Sequence, residues 1–145
     1  MSRRTSIITA LTEKLKQIDG NSPYHINLFN NAYPKLKFWD EVNDFPAVYV
    51  TPGSETREYQ LAGFTWAFLG VSLKVYCRGE NAQQDLEYLL EDIETVITNN
   101  RVLEYDAENH YDTTEILVAS ITTDEGLLAP YAVGEINLQV RYALM

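Results

Sequence analysis

Hydrophobic positions recur every second residue over 71–77, where Val71, Leu73, Val75 and Cys77 alternate with Ser72, Lys74 and Tyr76. A period of two marks a strand with one buried face. Phe64, Trp66 and Phe68 alternate too, but with the opposite parity. One extra residue restores the phase, so a β-bulge at Gly70 is predicted, bringing both sets onto one face. The period then lengthens. Ala82, Leu86, Leu89, Leu90, Ile93, Val96 and Ile97 repeat at three- and four-residue steps, which predicts an amphipathic helix over 82–98. Asn81 and Gln84 read as N-cap and capping-box pair, and Asn99-Asn100 as a left-handed stop.

The same reading extends along the chain. Ile7, Ile8, Leu11, Leu15 and Ile18 define a first helix with Thr5 or Ser6 as cap and Gly20 as stop. Tyr24, Ile26, Leu28 and Phe29 start a short strand, followed by an ordered loop containing Tyr33, Phe38 and Trp39. Rings of that size pack on something: the chain's own sheet in the plainer reading, a partner chain in the sharper one. Phe45–Val50 is a strand opening at its proline. Residues 52–63 form an extended, mostly polar arm or hairpin extension. Val102 and Leu103 are read as a short strand and 104–115 as an acidic loop. Ile116–Thr123 and Val133–Leu144 pair as an antiparallel hairpin around a turn at 126–130. Strands cluster rather than alternate with helices. The expected fold is therefore α+β: a mainly antiparallel sheet, two helices packed on one face, an extended hairpin arm, and one domain spanning 1–145.

Charge narrows the function. The net charge is −10, with six Lys/Arg against three Asp/Glu over residues 1–40 and five against eighteen thereafter. Nucleic-acid binding as the main activity needs clustered cations, which this distribution lacks. No segment has the apolar length of a membrane span, and no apolar signal core follows the basic N-terminus, so secretion is not expected. The single Cys77 sits on the apolar side of its strand and reads as a buried thiol.

Catalytic chemistry finds no anchor. There is no Gly-rich phosphate loop, G-x-S-x-G, HExxH or CxxC, and a non-enzymatic protein without a cofactor is expected. The weak metal candidates are Asp106, Glu108, His110 and Asp112, which with Glu104 fall at even spacing. Extended, they would share one side and suit a hard cation or a metal-dependent hydrolase, but the segment lacks the glycine and terminal glutamate of an EF-hand. His25 has no catalytic neighbour in sequence.

Three surfaces read as interfaces. The outer face of helix 82–98 carries Asp85, Glu87, Glu91, Asp92 and Glu94 with no interleaved cation. Arg3, Arg4, Lys14 or Lys16 of this or a neighbouring copy would complement it. The turn Gly126-Leu127-Leu128-Ala129-Pro130-Tyr131 is unusually apolar for a hairpin tip, which marks Leu127, Leu128 and Tyr131 for docking. Arg57 and Tyr59 in the arm are residue types enriched in interface cores.

In order, the chain has a basic N-terminal helix, an aromatic loop, a Phe-Pro-Ala-Val-Tyr-Val strand, a polar arm and a long strand ending Tyr-Cys-Arg-Gly. An acidic helix and a hairpin ending Val-Arg-Tyr follow. Taken together this resembles the tail terminator (tail completion) proteins of long-tailed bacteriophages. The resemblance implies a virion protein assembled in the host cytoplasm. It would form a homo-oligomeric ring, typically a hexamer, on the head-proximal end of the tail tube. That ring stops tube polymerisation and offers a surface to a head-completion or connector protein. DNA only passes through its lumen, and no membrane is involved. A head–tail neck or minor tail protein of related fold, or a small monomeric or dimeric adaptor, is the alternative.

Overall fold

The computed structural model describes residues 1–144. The elements run α1 (Arg3–Leu15), β1 (Ala32–Tyr33), β2 (Ala47–Tyr59), β3 (Thr65–Arg78), α2 (Ala82–Asn99), β4 (Glu104–Asp106), β5 (Tyr111–Thr123) and β6 (Tyr131–Leu144). The strands make one six-stranded sheet in the order β1-β2-β3-β6-β5-β4. Among the described residues only the two-residue β1 runs parallel to its neighbour, and every other pairing is antiparallel.

Alternation through β3 is unbroken, which corrects the bulge predicted at Gly70. Thr65, Ala67, Leu69, Val71, Leu73, Val75 and Cys77 are all buried, and β3 pairs with β6 without a slip from Thr65↔Leu144 to Arg78↔Tyr131. Trp66 and Phe68 therefore lie on the second face of the sheet. The bulge is in β2, where the register jumps from Pro52↔Val71 to Glu55↔Leu69. Gly70 serves that bulge from across the ladder: a Cβ there would lie 3.3 Å from the Ser54 carbonyl oxygen. Its glycine marks a close backbone approach rather than an irregularity of its own strand.

Both helices cover the first face. Ile7, Leu11 and Leu15 of α1 and Leu86, Leu89 and Ile93 of α2 close on Val48, Val50, Leu69, Leu73, Ile136 and Val140. A Cβ on Gly134 would come within 3.1 Å of Leu86 Cδ1, so the missing side chain lets α2 settle on β6. The caps differ from those predicted. α1 begins at Arg3, because the Ser2 hydroxyl accepts the Thr5 N–H at 3.0 Å. Asn81 makes no side-chain cap. Asn100 is not left-handed (φ −131°); its side-chain amide instead donates to the Val96 carbonyl at 2.8 Å.

The aromatic loop packs on the second face of its own sheet. Val42, Ala47, Tyr49 and Tyr76 form a small separate core, with Tyr33, Trp39, Phe45 and Val133 against it. The Tyr76 hydroxyl donates to the Lys37 carbonyl at 2.6 Å and ties the loop down. Two further expectations are corrected. Residues 24–29 form no strand and contribute only the isolated Asp19↔Asn27 bridge. The acidic stretch 104–115 is a hairpin of β4 and the start of β5, not a loop. Just ahead of β4 Thr113 bonds twice to Leu103: its N–H donates to the Leu103 carbonyl and its hydroxyl accepts the Leu103 N–H.

Candidate assembly surfaces

The arm is a continuation of the sheet with a braced root. Tyr142, fully buried in β6, donates its hydroxyl to Glu55. Glu55 also pairs with Arg57 at 2.7 Å, and Arg4 of α1 donates to the Gly53 carbonyl in the bulge. Burial, reinforced by the Glu55 carboxylate, pushes the Tyr142 phenol well up. Beyond this brace Tyr59 is exposed and Leu61 at the arm's end is 95 % exposed. Arg57 thus braces within the chain, while Tyr59 projects.

At the opposite end of the strands the β5–β6 turn is organised by Asp124. Its carboxylate accepts the backbone N–H groups of Leu128 and Val133 and the side-chain amide of Gln83. Burial pulls this carboxyl upward, but the three donors outweigh it and hold it below the usual aspartate value. The turn so fixed presents Leu127 at 84 % exposure, while Leu128 is half-buried. Tyr131 turns inward, with ring centroids 5.2 Å from Trp39 and 5.8 Å from Phe45, under the Arg78 guanidinium.

The acidic helix face divides. Glu87, Glu91 and Glu94 are exposed and Asp85 half-buried, but Asp92 is 1 % exposed, which corrects its placement on the outer face. Asp92 accepts the backbone N–H of His25 on both oxygens, at 3.0 and 3.0 Å, and that of Ile26 at 2.9 Å. It replaces the strand partner that the 24–29 segment lacks. Arg3 is engaged elsewhere in the chain: it donates to the Ala143 carbonyl at 2.8 Å and lies 4.1 Å from the centre of the Tyr111 ring. Among the described residues neither Arg3 nor Arg4 forms a salt bridge.

The even-spaced acids do not extend along one side. Asp106 closes the β4–β5 turn by accepting the N–H and side-chain amide of Asn109, and His110 sits in the turn at φ +58°. Among the described residues no group of three or more His, Cys, Asp or Glu is placed to hold a metal ion. Burial pushes the Cys77 thiol up to about 12, with Asp85 adding to it.

A family model described as bacteriophage tail tube terminator protein matches residues 1–145. The tail tube terminator protein p142 of Escherichia phage T5 is 39 % identical over 152 aligned residues, covering 98 % of this chain and 94 % of that protein. The chain belongs to the bacteriophage tail tube terminator family. Its fold also matches a chain in the virion of a native gene transfer agent particle, with a TM-score of 0.62 at 11 % identity over 99 % of this chain and 100 % of that one.

Two surfaces of this terminator chain carry little signal in the sequence. Leu61 falls within a stretch that is otherwise mostly polar. The larger omission is β5, where residues 117–122 are all exposed, Leu117, Val118 and Ile121 among them. The available signal was the charge-free run Ile116-Leu117-Val118-Ala119-Ser120-Ile121-Thr122-Thr123. A period-two reading assigns one side of such a run to the core and passes over the exposure of the other side and of the edge.

Proposed function

We propose that the chain caps the head-proximal end of the tail tube as a ring of identical copies, with six as the expected number. The ring ends tube polymerisation and offers its far side to a head connector. Family membership over the whole chain carries this reading. The geometry agrees with it: the two most solvent-exposed leucines, Leu61 and Leu127, project from opposite ends of the strands, as a piece joined on two sides requires. A closing ring uses two different patches on each copy, a heterologous contact. The net charge of −10 suits DNA passing through without adhering, since like charge is repelled. The role asks for no catalysis.

The test is complementation of a phage lacking the chain. Tails made without it are expected to carry tubes of uncontrolled length. Leu127→Ser is expected to leave the fold within about 0.5 kcal/mol of the parent, because the side chain is in solvent, yet to fail in tail completion. Normal tails made with a protein that stays bound as one copy per tube overturn the ring.

A further inference from the structure

The two borders of the sheet are closed at opposite corners. β1 covers β2 only at Val48 and Tyr49. β4 covers β5 only at Tyr111 and Asp112, with Thr113 bonded just beyond, and Arg101 folds over Glu115. Among the described residues the outer edges of β2 from Val50 and of β5 from Ile116 have no strand beside them. The ladder places these open windows level with each other: Val50↔Leu73↔Ile136↔Ile121, Pro52↔Val71↔Leu138↔Val118 and Glu55↔Leu69↔Val140↔Ile116. The windows differ in kind. Each window holds one register slip, between Pro52 and Glu55 in β2 and between Val118 and Ser120 in β5; the β5 window bears no charge, whereas β2 carries a proline and charged side chains, the usual guards against promiscuous pairing. Those guards deter β2 from pairing with its own kind; Pro52 brings no N–H and the Gly53 carbonyl accepts Arg4, while the charged side chains point to the sheet faces rather than along the edge.

We propose that residues 116–121 of β5 in one copy add to the outer edge of β2, residues 50–56, in a second copy. This rests on the ring reading above and names the contact that closes it. Between the borders lie β2, β3, β6 and β5, four strands of alternating direction. Rotation about an axis along the strands preserves direction, so β5 of one copy meets β2 of the next antiparallel. The contact joins two different edges and propagates head to tail, as a ring needs. An isologous β5–β5 pairing would stop at two copies.

Backbone amide exchange followed by mass spectrometry tests this on the purified chain and on the same chain in isolated tails, with copy number counted in the tails. The expected result is at least tenfold slower exchange of both 116–121 and 50–56 in tails, with the central ladder of β3 and β6 protected equally in both samples. Several copies per tail with both windows exchanging at the free-chain rate overturn the edge pairing and leave the ring standing. Protection of 116–121 alone assigns the edge to another copy's β5 or to a different tail protein, and also overturns it. A single copy per tail overturns the ring reading, and the pairing falls with it.

Discussion

Removing the Asp92 carboxylate should be among the most damaging single changes in α2, although a neighbour one residue away is expendable. Asp92→Ala strips the acceptor from two backbone donors, the His25 N–H shared between both oxygens and the Ile26 N–H at 2.9 Å. Each buried donor left unpaired costs about 1–3 kcal/mol. The contacts are partly buried, so water recovers some of that, and about 3 kcal/mol in total is expected. Against a domain stability of about 5–15 kcal/mol this is a large fraction. Asp92→Asn retains one carbonyl oxygen and should lose about half as much. Glu91→Ala removes only an exposed contact with His25 at 3.9 Å and should cost less than about 0.5 kcal/mol. Urea unfolding at pH 7, followed by tryptophan fluorescence, measures all three. Amide exchange at His25 and Ile26 locates the effect. An Asp92→Ala protein within about 0.5 kcal/mol of the parent, with exchange at those two amides unchanged, would refute the reasoning and return Asp92 to the outer face.

Other consequences are independent of that carboxylate. Gly134→Val should destabilise by about 1–3 kcal/mol through overpacking against Leu86 and Leu90, measurable in the same titration; a neutral result means α2 slides freely on β6. Cys77, buried with its thiol pushed up to about 12, should resist an aromatic disulfide reagent at pH 8 until the chain unfolds; stoichiometric labelling of the native protein within seconds contradicts its burial. Asp124 has a folded value below its unfolded one, so its contribution is present above about pH 4 and is lost as pH falls through the lower folded value. Stability of the parent should therefore drop more steeply as pH falls below about 4 than that of Asp124→Asn; superimposable profiles mean the turn donors do not stabilise the carboxylate.

Periodicity made the two long strands, the two helices, their common face and the final hairpin legible, because each is governed by a repeat of two or of three to four residues. It failed where the sheet uses both faces. A bulge at Gly70 would bring Phe64, Trp66 and Phe68 onto the face of Val71, Leu73 and Val75, which supposes a single buried face. The aromatic loop builds a second, smaller core at one end of the other face around Tyr49 and Tyr76, and along this face Trp66 lies under Arg141. Short strands are misplaced for another reason: the strand read at Val102 and Leu103 lies at Glu104–Asp106, and its approach is fixed by the Thr113 hydroxyl and amide on Leu103, an interaction no hydrophobic pattern encodes. The acidic face of α2 misled in the same way. A carboxylate that caps a distant loop and one that is solvated are the same letter, and Asp92 is told from Glu91 only by what the 24–26 backbone needs.

The acidic excess and the charge-free edge make more sense together than apart. An uncharged eight-residue run on an edge invites indiscriminate pairing, and β5 has no lysine or proline to prevent it, only the register slip between Val118 and Ser120. A chain with net charge −10 is kept from its own copies by repulsion that acts over roughly a Debye length of 8 Å at physiological salt. That repulsion is spread over the whole surface, whereas edge pairing is short-ranged and directional. On the proposed ring reading, copies held side by side on a tube end have already met the cost of approach, so the local contact would decide the outcome there and the diffuse charge in free solution. The distribution of charge along the chain therefore belongs to the same problem as the exposed strand: keeping a sticky edge unpaired until it is aligned.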